Sequence, residues 1–111
     1  MQRLVALCCV VTTLCAAGMF YARLSAAMDA THTVVIDGVK FDPETITVKA
    51  GDTVVWVNKD PFPHTVTSQA GGFDSHDIAA GQSWSYMTTK AGVFPYTCTF
   101  HPTMQATLKV E

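Results

Sequence analysis

The sequence predicts a small all-β protein, an antiparallel β-sandwich of seven to eight strands. Three observations lead to this prediction: short runs rich in β-branched and aromatic residues, turn signals at regular spacing between them, and no amphipathic helix of useful length. The length of 111 residues favours one domain.

The first three predicted strands lie between 32 and 48. The β-branched run 32–36 ends at an Asp-Gly turn signal, and the short apolar return 39–41 is stopped by Asp42-Pro43. Residues 45–48 alternate between polar and apolar side chains, which is typical of a half-buried strand.

The middle of the chain contains the strand with the strongest apolar character. Residues 53–57 include Trp56 between valines, so we expect this strand to be largely buried. A polar loop then leads to an alternating strand at 64–67, and the glycine-containing segment 68–77 is predicted to be a flexible loop.

The last predicted strands are 82–87, 93–98 and 106–110. In the first of them Trp84 and Tyr86 fall on one face, as the period of two requires. A Lys-Ala-Gly turn precedes the second strand, and the third closes the sandwich.

Residues 1–27 have the features of a secretory signal peptide. A short positive start at Met1-Gln2-Arg3 precedes an uncharged stretch, and Ser25-Ala26-Ala27 supplies the small residues of a cleavage site. We therefore predict cleavage after Ala27, an exported domain over 28–111, and a periplasmic or exported location. The alternative is an uncleaved anchor, because the 19 uncharged residues from Leu4 to Ala22 are about enough to span a bilayer.

Charge and cysteine content narrow the function. Over residues 28–111, five lysines against seven aspartates and two glutamates give a net charge of −4, so nucleic acid is an unsuitable partner. Three of the four cysteines lie in the predicted leader, which leaves Cys98 alone in the exported part. A lone thiol is a liability in an oxidising compartment, and binding a metal as thiolate removes that liability.

The segment 98–104 carries the residues that indicate a metal site. Cys98, His101 and Met104 supply a thiolate, an imidazole and a thioether, which are soft ligands that suit copper. Two His and one Cys with a weak axial Met form the electron-transferring blue-copper arrangement. His64, which begins the predicted strand 64–67, is the candidate for the second His.

At these residues the chain resembles the small blue-copper proteins, the cupredoxins, and within them the amicyanin-like branch of the plastocyanin/azurin family. The motifs that carry the resemblance are Trp56-Val57-Asn58, Pro63-His64, Ala91-Gly92, Tyr96-x-Cys98 and C-x-x-H-P-x-M. It implies a cupredoxin-like Greek-key sandwich with one copper ion per chain, held by His64, Cys98, His101 and Met104.

The resemblance also implies an electron carrier rather than an enzyme. It further implies a monomer that docks transiently near His101 with redox partners such as a dehydrogenase, a c-type cytochrome or a reductase. A membrane is involved only if the leader is uncleaved. His101 is expected to be the ligand nearest solvent, within an apolar rim formed by Phe62, Pro63, Phe100 and Pro102. The chain departs from the family at Thr65, where Asn is frequent, and Thr99 is the expected partner of the Thr65 hydroxyl.

Other functions remain open from the residues. A periplasmic copper carrier or delivery protein could use the same ligands, and a catalytic zinc site could use Cys and two His but gives Met104 no role. A binding module with a vestigial site does not account for a complete ligand set. His76 is expected to be an exposed turn residue.

Overall fold

The computed structural model describes residues 29–111, which form nine strands and contain no helix. The strands are β1 Thr31–Ile36, β2 Phe41–Asp42, β3 Thr45–Val48, β4 Thr53–Asn58, β5 Thr67–Ser68, β6 Phe73–Asp74, β7 Ser83–Met87, β8 Gly92–Cys98 and β9 His101–Val110. Within this range no helical segment could cross a bilayer. The predicted leader 1–27 and its cleavage site lie outside the described residues.

The strands are arranged in two sheets, which confirms the predicted all-β sandwich. One sheet has the order β2-β1-β4-β7, and the other has the order β3-β9-β8-β5-β6. The sandwich was expected to be antiparallel, but both sheets are mixed, because β1 pairs with β4 and β3 pairs with β9 in parallel. After β2 the chain crosses to the other sheet as β3 and returns as β4 beside β1. Alternating hydrophobicity indicates which face a strand buries but not which strand it pairs with.

The number of strands exceeds the predicted seven to eight because of β6, one of three strands that are only two residues long. β2 and β5 are among these, and β6 lies within the segment 68–77 that was predicted to be a loop. Of the predicted strand 64–67, only Thr67 belongs to a strand, while His64 is held by an isolated bridge to Ile78. Single apolar residues at such positions carry too little periodicity to be assigned from sequence.

Trp56 connects the two sheets at the centre of the core. Its ring is fully buried and lies at 5.6 Å, edge to face, from the ring of Tyr96 on β8. Trp56 Nε1 donates a hydrogen bond to the Tyr96 hydroxyl at 3.2 Å, so both polar groups are satisfied inside the core. Burial raises the pKa of Tyr96 to about 12. The remaining buried apolar residues are Val34, Ile36, Phe41, Val48, Val54, Val66, Phe73, Ile78, Cys98, Met104, Ala106, Leu108 and Val110.

The Asp52 carboxylate ties together the chain segments around the start of β4. It accepts hydrogen bonds from the backbone N–H groups of Ala30 and Lys49, at 2.9 and 3.0 Å. His32 Nε2 lies 2.9 Å from the same carboxylate. The Ala30 N–H, the His32 ring and the Lys49 N–H lower the pKa of Asp52 from 3.8 to about 2.

We predict that Asp52→Asn removes one component of the acid sensitivity of folding. Because the folded-state pKa is depressed, the stability that Asp52 contributes is present above pH 3.8 and is lost as pH falls through about 2. The difference in urea midpoint between wild type and variant should therefore shrink between about pH 5 and about pH 2. Asp37→Asn, at an exposed turn, is the control. A difference that is independent of pH would contradict this assignment.

Candidate metal centre

The offset between β8 and β9 creates the segment that carries three of the four candidate ligands. Thr97 pairs with Gln105, but the next residue, Cys98, pairs with His101. Residues 102–104 therefore have no counterpart on β8 and form an extended bulge in β9. His101 and Met104 would face opposite sides of a regular strand, and the extra residues remove that constraint.

Cys98 and His64 meet in the interior of the protein. Both side chains are fully buried, and Cys98 Sγ lies 3.6 Å from His64 Nδ1. The backbone N–H of Thr65 donates to the same sulfur at 3.3 Å. The sulfur of a cysteine that binds a metal as thiolate can accept such a backbone hydrogen bond.

His101 lies beside His64 but nearer the surface. The centroids of the two imidazole rings are 5.3 Å apart, and the ring of Phe62 lies 5.9 Å from that of His101. His101 is partly exposed, whereas Met104 is only 4% exposed. The expectation that His101 is the candidate nearest solvent is therefore confirmed.

Met104 lies on the inner side of the bulge, three residues after His101. Its side chain belongs to the buried core and lines a surface cleft with Val39 and Phe41. Among the described residues, His64, Cys98 and His101 are connected by a polar side-chain contact and a ring contact. Met104 is linked to them only by its position three residues after His101 and by its packing in the same core.

Two polar residues that shape the site, Asn58 and Asp60, were not among the site residues predicted from the sequence. Asn58 is fully buried and donates from Nδ2 to the carbonyls of Phe62 and Ile78, at 2.8 and 2.9 Å. Its Oδ1 accepts the Asp60 N–H at 3.0 Å. Asn58 therefore fixes the path of the loop that delivers His64. The sequence offered one indication of this role: Asn58 ends the most apolar strand, where its side-chain amide is expected to be buried and therefore to need several hydrogen-bond partners.

Asp60 is the second such residue. Its carboxylate accepts hydrogen bonds from Gly38 N–H at 2.8 Å and Val39 N–H at 2.9 Å, and lies 2.7 Å from His64 Nε2. Burial raises the pKa of this carboxyl, but the Val39, Gly38 and His64 donors outweigh burial, so the pKa lies below its usual value. In the sequence, the only indication of this contact was the position of Asp60, four residues before the candidate ligand His64.

Thr65 takes the place of the Asn that is frequent in the family, and its hydroxyl connects the chain segments of the candidate ligands His64 and Cys98. Thr65 Oγ1 accepts the Thr99 N–H at 2.9 Å and lies 3.1 Å from the Thr99 hydroxyl. The predicted contact between these threonines is therefore present. His76, by contrast, is an exposed residue with a φ of 54°, held through its N–H by Asp74.

The donor atoms fit a soft metal ion. An imidazole nitrogen at roughly 2.0 Å and a thiolate at roughly 2.3 Å from one ion are about 3.7 Å apart at a trigonal angle. The distance between His64 Nδ1 and Cys98 Sγ is 3.6 Å. Within residues 29–111, however, no three His, Cys, Asp or Glu side chains form a complete cage. We therefore expect the partly exposed His101 to complete the set when the metal binds.

Comparison with known proteins identifies the family. The chain matches the cupredoxin-like domain over residues 5–110. The chain belongs to the cupredoxin family. It is 36% identical over 94 residues to amicyanin from Paracoccus denitrificans, covering 78% of this chain and 72% of that protein. Plastocyanin from Scenedesmus fuscus is 32% identical over 84 residues, covering 64% of this chain and 86% of plastocyanin.

Solved structures agree with this assignment to an amicyanin-like cupredoxin. The Cu(I) form of an amicyanin variant has a TM-score of 0.68 and 32% identity, covering 75% of this chain and 84% of amicyanin. An oxidized amicyanin variant has the same TM-score and identity, with coverages of 73% and 82%. Cupredoxins bind copper, and amicyanin and plastocyanin are electron carriers rather than enzymes.

We predict that Thr65→Val lowers the free energy of unfolding by about 0.5–1.5 kcal/mol, because the Thr99 N–H loses the Thr65 hydroxyl as its acceptor. The backbone N–H to Cys98 is retained. Urea unfolding of the metal-free protein measures the change, and Thr65→Ser, which keeps the hydroxyl, is the matched control. An equal loss in both variants would assign the effect to the threonine methyl group instead.

Proposed function

We propose that this protein carries one electron through a single copper ion bound by His64, Cys98, His101 and Met104. The observation that carries the proposal is the buried pair of Cys98 Sγ and His64 Nδ1 at ligand spacing, with the His101 ring adjacent. When bound, copper would supply a centre that takes up and releases a single electron. This set of Cys, two His and an axial Met is the one used in blue-copper electron transfer.

The remaining residues would keep the site dry and rigid. Three of the four proposed ligands are buried, so water has little access to them. Thr65 ties the segment of Cys98 to that of His64, and the ring of Pro63 restricts the backbone immediately before His64. A site that keeps its shape while its charge changes needs little reorganisation, which favours rapid electron transfer.

A copper carrier or delivery protein is the alternative, and it would have to release its ion readily. Burial of His64, Cys98 and Met104 and the hydrogen bonds between the ligand segments favour retention of the copper ion.

We also propose that residues 1–27 direct export, with 28–111 as the exported domain in the periplasm or an equivalent compartment.

The test of the proposal is the visible spectrum of the copper-loaded protein. We predict an intense thiolate-to-copper band at one copper per chain, bleached by mild reductant. Cys98→Ser should abolish it, because Cys98 is the one thiol among the described residues. A colourless Cu(II) complex, or a band that survives in Cys98→Ser, would rule out this ligand set. Copper that exchanges rapidly with a chelator would favour the delivery function.

The surface around His101 suits transient docking of a redox partner. Phe62 is 38% exposed and Phe100 49% exposed, and Pro63 and Pro102 are also exposed. Such an apolar, uncharged surface allows close approach without burying charges. We propose that the protein exchanges electrons here with redox partners of the dehydrogenase, c-type cytochrome or reductase classes.

We predict that Phe100→Lys slows electron self-exchange between copies at least several-fold, because two like charges would meet where the proteins approach. Line broadening in mixtures of oxidised and reduced protein measures the rate. Val93→Lys is the matched control: Val93 is 61% exposed, and five residues of strand place it roughly 16 Å from Cys98. Equal slowing in both variants would indicate an effect of net charge, and wild-type rates in Phe100→Lys would place the electron exit elsewhere.

A further inference from the structure

The Asp60 carboxylate joins two chain segments behind the candidate metal centre. Oδ2 lies 2.7 Å from His64 Nε2 and accepts the Val39 N–H at 2.9 Å, while Oδ1 accepts the Gly38 N–H at 2.8 Å. The side chain is 7% exposed. Three donors therefore converge on one buried side chain, and this is the pattern that an anionic acceptor satisfies.

This contact determines which nitrogen of His64 can bind a metal. An ionised carboxylate only accepts hydrogen bonds, so Nε2 must carry the proton in the neutral imidazole. Nδ1 then carries the lone pair, and Nδ1 is the nitrogen that lies 3.6 Å from Cys98 Sγ. The hydrogen bond to Asp60 therefore selects the tautomer whose free nitrogen faces the sulfur.

The other two donors hold Asp60 in place. Gly38 and Val39 both have positive φ, of 64° and 60°, and this conformation is unfavourable for a β-branched residue such as Val39. This turn conformation directs the N–H groups of Gly38 and Val39 at the Asp60 carboxylate. Val39 also lines the cleft that contains Met104, so the turn held by Asp60 lies near another residue that would hold the copper.

We propose that Asp60 is a positioning residue of the copper centre, which holds His64 as the Nε2–H tautomer and lowers the reduction potential through its negative charge. The proposal rests on the proposed function, because it presumes copper at His64. A fixed charge on the far side of the imidazole raises the basicity of the ligand and stabilises Cu(II) more than Cu(I).

Asp52 offers a natural control for a purely structural role. Like Asp60, it is buried, accepts two backbone N–H groups and pairs with a His Nε2, at 2.9 Å. Its partner His32 is not a candidate ligand. Asp52→Asn and Asp60→Asn therefore make the same chemical change in equivalent hydrogen-bond patterns. Of the two residues, only Asp60 lies next to the candidate metal centre.

The experiment compares wild type, Asp60→Asn and Asp52→Asn. Nitrogen-15 NMR of the imidazoles reports the His64 tautomer in metal-free protein, and redox titration reports the potential of the copper-loaded protein. We expect Asp60→Asn to weaken Cu(II) binding roughly 10- to 100-fold, to weaken Cu(I) binding less and so to raise the potential. It should also reduce the population of the Nε2–H tautomer. Asp52→Asn should leave tautomer and potential at wild-type values.

Several results would overturn the proposal. One is an Nδ1–H tautomer in wild-type metal-free protein, which needs no variant to fold. Another is an unchanged potential in Asp60→Asn, and a third is an equal shift in both variants. If wild type loaded with Cu(II) lacks the thiolate band, it is the proposed function that fails. A normal band with an unmoved potential in Asp60→Asn rejects only the role of Asp60.

Discussion

The offset between β8 and β9 at Cys98 is the constraint on which the candidate metal centre depends. β8 continues the core alternation through Tyr96 to Cys98, so the sulfur is buried by the same pattern that buries the aromatic core. The three unpaired residues 102–104 then allow His101 to lie opposite Cys98 while Met104 turns inward. A regular hairpin could not place both side chains, because its residues alternate strictly between faces.

The second candidate histidine reaches this site by a different physical route. His64 is not part of a regular strand but is held by its backbone bridge to Ile78 and its side-chain contact with Asp60. Buried polar groups rather than a sheet ladder define this loop, and each of them has a partner, as a low-dielectric interior requires. Such a network is rigid because breaking any one bond leaves a buried group unsatisfied.

Burial and exposure are divided in a way that suits electron transfer. The sulfur atoms of Cys98 and Met104 lie inside with His64, and His101 with Phe62 and Phe100 lies at the surface. The acidic net charge of residues 28–111 is carried elsewhere than on this apolar rim, so it acts mainly on the encounter of partners. The same division would slow the release of copper, which weighs against a delivery function.

The sequence by itself determined the all-β class, most strand positions and the four candidate ligands. These properties are local: the period of two is visible in 45–48 and 53–57, and three donor residues lie within seven positions. Only the tertiary structure decided the parallel pairing of β1 with β4, the offset at Cys98 and the roles of Asn58 and Asp60. Their contacts join residues far apart in the chain, as when Asp60 binds the turn at Gly38, and spacing along the sequence carries no information about such pairs. Thr65 was determined partly by each. Comparison with the family suggested Thr99 as the partner of its hydroxyl, but only the structure gives the distance between the two hydroxyl oxygens.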